Sequence, residues 1–255
     1  MILIDIGNTN IVFALSENKK IKNITRVDSN LEINNLKMIL SKTINRLLKE
    51  NKNNSKISII SSVVPKLNPI LIKILKTNKI NASFVKPKDV LSYLKIDYKL
   101  NEIGADRIAN SVAVINHKIK NSIVIDFGTA TTFEVLKEAT FLGGLIFPGI
   151  DLSKNTLIKK TSLLKNTAII KTRKVVAKNT KASIQSGFYW GYLFAINSII
   201  KKIKNEKKFK PKIILTGGLA NIFKNDISPK PIVKPNLTLE GLQVIGSLFY
   251  AKNKY

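Results

Sequence analysis

One pattern occurs twice in this chain and limits its fold more than any other feature. It consists of an apolar strand that ends in Asp-x-Gly, a short polar turn and a second apolar strand. The first copy is MILIDIGNTNIVFAL in residues 1–15, and the second is SIVIDFGTATTFEV in residues 122–135. Each copy predicts a strand–turn–strand unit. Because the copies open the two halves of the chain, they predict two lobes of similar architecture.

Strands and helices alternate after each of these units. Apolar residues follow a helical period from Leu36 to Leu48 and again over about residues 181–205, and KISIISSVVP in residues 56–65 is typical of a buried strand. Ser29 and Glu32 have the spacing of a capping box ahead of the first helix. The alternation predicts an α/β protein with covered sheets, with residues 1–117 as one lobe and residues 118–255 as the other.

The residues of the two turns suit phosphate binding. Gly7 and Gly128 allow the backbone to approach a ligand closely, and successive N–H groups in such a turn form a concave anion site. A carboxylate beside phosphates, either Asp5 or Asp126, repels them unless a cation intervenes, so the pattern also indicates a metal ion. For one copy alone, an ordinary Asp-Gly turn is the alternative.

A third polar segment is EIGADRIAN in residues 102–110. Asp106 lies at a predicted helix start, where the helix dipole favours a carboxylate, and it could accept a proton from a substrate hydroxyl. Arg107 could bind a carboxylate or phosphate through two hydrogen bonds. The alternative is an Asp of the first helical turn that pairs with its neighbour. Gly217 and Gly218 follow a predicted strand and would let a flat ring or a ribose lie against the backbone; the alternative is a plain turn from strand to helix.

The charge of the chain raises the question of nucleic-acid binding. The chain has 43 basic and 16 acidic residues, which gives a net charge of +27. Such a charge attracts phosphates, but only four basic residues are arginine, the usual reader of guanine edges, and the lysines are scattered. We therefore expect a solvated lysine surface and no specific nucleic-acid partner.

Other compositional features narrow the chemistry. Cysteine is absent, which excludes disulfides, thiolate catalysis and thiolate metal sites. No apolar stretch approaches the roughly 20 residues of a membrane span, and the N-terminus has no signal-peptide pattern. These features predict a cytoplasmic protein without a membrane partner.

Taken together, the motifs resemble one family, the type III pantothenate kinases of bacterial coenzyme A synthesis. The resemblance runs through most of the chain, and GADR, GTATT and KNTKASIQSG in this order are specific to that family, whereas the Asp-x-Gly pair marks only the superfamily of acetate and sugar kinases, Hsp70 and actin. It implies two lobes similar to ribonuclease H and actin, with central mixed sheets and a nucleotide cleft between them. It also implies a homodimer that phosphorylates pantothenate with ATP and Mg²⁺.

The resemblance further implies a role for each matching residue. Asp106 would be the proton acceptor, and Asp126 would bind the monovalent cation, K⁺ or NH₄⁺, that the family requires. Tyr98 lies one position closer to Gly104 than the family's spacing, and no proline precedes GADR here. The implied ATP contacts are Asp5, Ile6, Gly7, Asn8, Thr9, Asn10, Ile11, Val12 and Thr129. The implied pantothenate contacts are Tyr98, Gly104, Ala105, Asp106, Arg107 and Thr180.

Two alternatives stay open. The chain could be another phosphotransferase of the superfamily, such as a sugar or N-acetylhexosamine kinase, although GADR argues against this. It could also be a non-catalytic relative that acts as a regulatory or nucleic-acid-binding factor, although the presence of Asp5, Asp106 and Asp126 favours catalysis.

Overall fold

The computed structural model describes residues 1–52 and 55–252, and the chain divides into two compact units. The first unit comprises Met1–Lys118 and Leu237–Tyr255, and the second comprises Ile119–Asn236. The sequence pattern had assigned the last helix to the second lobe, whereas the structure packs it on the first.

The elements follow the predicted alternation of strands and helices. In residues 1–118 they are β1 (Ile2–Ile6), β2 (Asn10–Glu17), β3 (Lys20–Asp28), α1 (Ile33–Glu50), β4 (Ile57–Ser62), α2 (Asn68–Thr77), β5 (Asn81–Phe84), β6 (Lys95–Ile96) and α3 (Ala105–Asn116). Three short 3₁₀ turns span Pro65–Leu67, Pro87–Val90 and Leu100–Glu102. The later elements are β7 (Ser122–Phe127), β8 (Ala130–Lys137), β9 (Thr140–Pro148), α4 (Ile150–Lys159), α5 (Thr180–Lys207), β10 (Lys212–Gly217), α6 (Ala220–Phe223), β11 (Ile232–Val233) and α7 (Leu237–Lys252).

The sheet of the first unit has the strand order β3-β2-β1-β4-β5. β1, β2 and β3 pair antiparallel, and β4 lies parallel to both β1 and β5. Successive side chains of a strand point to opposite faces. One face, which includes Ile2, Ile4 and Ile6, packs on α1 and α2. The other face carries Leu3 and Asp5, and α3 and α7 pack on that side against β4 and against each other.

The second unit repeats this arrangement with its own strands in the order β11-β10-β7-β8-β9. β7, β8 and β9 pair antiparallel, and β10 lies parallel to β7. Ile123, Ile125 and Phe127 of β7 form a buried cluster with Leu193 and Ile196 of α5. The expected α/β class with a central mixed sheet in each half of the chain is confirmed.

One local prediction is wrong. Ser29 does not cap the first helix; its Oγ donates a hydrogen bond to the Gly7 carbonyl oxygen at 2.7 Å. Glu32 is the N-cap residue instead, and its carboxylate accepts hydrogen bonds from the backbone N–H groups of Asn34 and Asn35. A side-chain oxygen at this position satisfies N–H groups that have no partner within the helix, whichever residue supplies it.

Across residues 1–52 and 55–252, the helices are too short or too polar to cross a membrane.

Candidate active site

The first Asp-x-Gly turn is exposed, and hydrogen bonds from another segment of the first unit hold it in place. Its backbone closes with a hydrogen bond from Gly7 N to Asn10 O at 2.9 Å. The segment after β3 tethers it: besides the Ser29 hydroxyl on Gly7, Ser29 N donates to Thr9 O at 2.9 Å and Asn30 Nδ2 to Asn8 O at 3.2 Å. Local motifs did not reveal that Ser29 and Asn30 hold this turn, because their partners lie 20 or more residues earlier in the chain.

The expected ATP contacts of this turn divide into two groups. The side chains of Asn8, Thr9 and Asn10 are exposed and accessible to a ligand. Ile6 and Ile11 are fully buried in the core, so only their backbone groups are available. Asp5 is the last residue but one of β1, and it faces Val12 across the strand pair.

The GADR segment forms the N-terminus of α3, with Gly104 as the N-cap residue. Asp106 Oδ1 accepts a hydrogen bond from the Arg107 backbone N–H at 2.7 Å. A Cβ added at Gly104 would lie 2.5 Å from the same oxygen, so glycine gives the carboxylate its place over the helix start. The same Cβ would also be 3.5 Å from Val63, which locates the segment beside the end of β4.

The carboxyl group of Asp106 lies in surroundings that suit a proton acceptor. Burial raises the pKa of Asp106 above its ordinary value, and the Arg107 backbone hydrogen bond and guanidinium charge oppose that rise only in part. Burial has this effect because it penalises the charged form. A raised pKa strengthens the carboxylate as a base, and such perturbed groups are concentrated in active sites.

Three further predicted substrate residues, Tyr98, Ala105 and Arg107, lie in or beside this segment. The guanidinium carbon of Arg107 lies 6.0 Å from the centre of the Tyr98 ring, within the range of a cation–π contact. Arg107 is buried and Tyr98 is exposed. Ala105 is buried at the helix start. The structure therefore brings Tyr98 and residues 104–107 together, although the spacing between them is one residue short of the family pattern.

The second Asp-x-Gly turn repeats the first with one residue fewer. Gly128 N donates to Ala130 O at 3.2 Å, and Thr129 is partly exposed beside it. The N-terminus of α4 packs tightly on this turn, since a Cβ added at Gly149 would overlap the Thr129 carbonyl oxygen. Asp126 is the last residue but one of β7, just before the turn.

The residues around Asp126 fit a cation that prefers oxygen ligands. Its Cα partners in the neighbouring strands are Thr132 on β8 and Thr216 on β10, so two hydroxyl side chains flank the carboxylate on one face of the sheet. Carboxylate and neutral oxygens are the ligands of hard cations. In the described part of the chain, no three His, Asp or Glu side chains gather in a metal-binding arrangement.

The Gly217–Gly218 turn lies against the second Asp-x-Gly unit. Gly217 has a φ of +84°, and a Cβ there would lie 2.5 Å from the Phe127 carbonyl oxygen. Gly218 N donates to that oxygen at 3.2 Å. The positive φ and the close contact with Phe127 both favour glycine at position 217.

Thr180 begins α5 and lines a cavity of about 490 Å³ in the second unit. The cavity walls are mostly apolar, and Thr180 and Ser183 add hydroxyl groups. Neither Asp126 nor Thr129 belongs to its lining. The other lining residues are Phe147, Leu157, Leu164, Ile184, Gly187, Phe188, Gly191 and Tyr192.

Comparison with known sequences identifies relatives of this chain. The family model of type III pantothenate kinases matches residues 1–202. A type III pantothenate kinase of Pelagibacter ubique is 38% identical over 240 residues, which cover 93% of this chain and 95% of the relative. A type III pantothenate kinase of Citrifermentans bemidjiense is 35% identical and covers all of both chains.

Solved structures show the same fold at lower identity. A Campylobacter jejuni protein classified with Baf family transcriptional activators has a TM-score of 0.62 at 21% identity, over 100% of both chains. The ROK hexokinase of Thermus thermophilus has a TM-score of 0.54 at 11% identity, over 99% of both chains. These likenesses establish a sugar-kinase-like fold and do not bear on the substrate. The sequence matches are stronger, and by them the chain belongs to the type III pantothenate kinase family.

Proposed function

We propose that this enzyme transfers the γ-phosphoryl group of ATP to the primary hydroxyl of pantothenate and forms 4′-phosphopantothenate, the first step of coenzyme A biosynthesis. Family membership supports the phosphotransferase class. The single observation that carries the mechanism is Asp106, a carboxyl group with a raised pKa, held at a helix start by the Arg107 N–H.

Asp106 acts as the general base in this proposal. As the substrate oxygen bonds to the γ-phosphorus, its proton passes to the Asp106 carboxylate, and the bond from the γ-phosphorus to the bridging oxygen breaks to release ADP. In phosphoryl transfer the protein contributes mainly by positioning the reactants and by stabilising the charge of the transition state. The hydrogen bond from Arg107 N fixes one carboxylate oxygen, and the other is then oriented toward the substrate.

The two Asp-x-Gly turns supply the ATP contacts of the proposal, namely residues 5–12 in the first unit and Thr129 in the second. Asp126, flanked by Thr132 and Thr216, is the residue that would hold a monovalent cation. When bound, Mg²⁺ and this cation neutralise phosphate charge that the carboxylates would otherwise repel.

The pantothenate contacts combine charge and apolar surface. The guanidinium of Arg107 suits the substrate carboxylate, and the Tyr98 ring lies over that guanidinium. Thr180 and the largely apolar cavity beside it suit the hydroxyl and gem-dimethyl groups of the substrate.

A homodimer is part of the proposal. Large apolar side chains of the second unit are exposed: Leu163 is 89% exposed, Val176 83% and Phe194 55%. In the proposed homodimer a second copy of the chain would cover these side chains, as partner chains cover contiguous apolar patches. Sedimentation or light scattering of the purified protein measures its oligomeric state directly. A monomer at micromolar concentration would contradict this part of the proposal.

A substrate panel tests the proposed reaction. The purified protein is incubated with ATP, Mg²⁺ and K⁺ together with pantothenate, glucose, N-acetylglucosamine or N-acetylmannosamine, and the products are identified by mass spectrometry. We expect phosphorylation of pantothenate alone. Phosphorylation of a sugar in its place would establish the sugar-kinase alternative, and ATP turnover with none of them would contradict both.

A further inference from the structure

The two Asp-x-Gly units share a backbone plan but differ in the side chains beside the aspartate. In the first unit the residue across the strand pair from Asp5 is Val12, and the next residue on that face of β2 is Ala14. In the second unit the corresponding residues are Thr132, across from Asp126, and Glu134. The duplication therefore acts as an internal comparison: the same positions are apolar in one copy and oxygen-bearing in the other.

Thr132 and Glu134 are joined by a hydrogen bond with a defined direction. The Thr132 hydroxyl donates to Glu134 Oε1 at 2.7 Å. Glu134 is fully buried in β8, so its carboxylate has a fixed position. A hydroxyl group has a single proton, and once that proton is used, the remaining capacity of the oxygen is to accept or to ligate. The Thr132 oxygen therefore presents its lone pairs on the face of the sheet that carries Asp126.

We propose that Glu134 is a positioning residue for the monovalent cation beside Asp126, and that it acts by keeping the Thr132 hydroxyl as an oxygen ligand. This inference rests on the cation of the proposed function. It explains why the cation belongs to the second Asp-x-Gly unit: the first offers Asp5 a valine at the equivalent place.

The residue next to Thr132 provides a matched control. Thr131 lies on the same strand, and its side chain points to the opposite face, where it is fully buried. Within the described part of the chain its hydroxyl has no hydrogen-bond partner. Thr131→Val and Thr132→Val thus make the same change of atoms one residue apart, and only the second removes an oxygen from the Asp126 face.

The test measures K⁺ dependence without turnover. The Kd of a non-hydrolysable ATP analogue with Mg²⁺ is determined by calorimetry over a K⁺ titration, with N-methylglucamine chloride holding the ionic strength constant. We expect the K⁺ concentration that gives half of the effect on the analogue Kd to rise at least tenfold in Thr132→Val and in Glu134→Leu, which removes the acceptor of the Thr132 hydrogen bond. We expect this K⁺ midpoint to stay within twofold of the wild type in Thr131→Val.

Specific outcomes overturn the inference. An unchanged K⁺ midpoint in folded Thr132→Val or in folded Glu134→Leu does so. An equal shift in Thr131→Val, or a wild-type protein whose analogue binding does not depend on K⁺, also does so. If Glu134→Leu does not fold, Thr132→Val still decides the result. The wild-type reaction with pantothenate is measured separately: its absence would contradict the proposed function, whereas an active enzyme with an unchanged K⁺ midpoint in Thr132→Val would contradict this inference alone.

Discussion

Asp106 is a carboxylate whose surroundings disfavour its charge, and this has a measurable consequence for stability. Because burial raises its pKa in the folded protein, the folded state binds the proton more tightly than the unfolded chain does. The stability that Asp106 contributes is therefore present below the pKa of the unfolded chain, about 4, and is lost as the pH rises through the higher folded value. Asp106→Asn removes the charge but keeps an oxygen to accept the Arg107 N–H.

We predict that Asp106→Asn has about the melting temperature of the wild type at pH 4 and a higher one at pH 7. Thermal unfolding over this pH range measures the difference. The matched control is Asp97→Asn, an exposed aspartate at which the change removes no buried charge. A variant less stable than the wild type at pH 7 would mean that the surroundings stabilise the Asp106 carboxylate.

Individual residues could be predicted from the sequence where the signal is local. Asp5, Asp106 and Asp126 lie in short patterns with glycine two residues away, and the structure puts each at the end of a strand or the start of a helix. Ser29 was misassigned because a serine three residues before a glutamate resembles a cap. The link between Thr132 and Glu134 was missed because TTFEV is also the alternation of an ordinary strand.

At the scale of elements, the helices α3 and α7 approach each other closely at a glycine. Gly241 of α7 packs against α3, and a Cβ added there would overlap the backbone of Ala109. We predict that Gly241→Ala destabilises the protein by about 1–3 kcal/mol or more, because two helix backbones must separate. Gly191→Ala is the matched control, since a Cβ at that helical site meets no atom within 4 Å. It should stabilise the protein by about 0.5–1 kcal/mol.

Denaturant titration of both glycine variants checks this prediction at the element scale. Equal effects of the two substitutions would show that α3 and α7 do not pack as closely as the structure indicates. Hydrophobic periodicity is enough to predict the strands and helices, but it does not indicate which unit α7 packs on. The sequence of α7 contains no local signal that indicates which unit the helix packs on. The reason for a glycine at position 241 is visible only in the structure, where Ala109 lies opposite.

The whole molecule carries a net charge of +27, and its effect on nucleic-acid binding can be measured. We predict weak binding of duplex DNA without sequence preference, lost at roughly 150–200 mM salt, because binding through scattered lysines depends on counterion release. Fluorescence anisotropy with two unrelated duplexes over a salt series checks this. Nanomolar binding to one duplex at roughly 150 mM salt would favour a regulatory role.

The steady-state kinetics of Asp106→Asn with pantothenate and ATP test the central claim most directly. The substitution preserves size and the hydrogen bond from Arg107 N, but the amide cannot take a proton. We predict that kcat falls by about 10²–10⁴-fold, the usual contribution of general-base catalysis, while the KM for ATP changes little and the protein stays folded. If the variant keeps most of its kcat, Asp106 is a structural residue of the helix start and the proposed mechanism is contradicted.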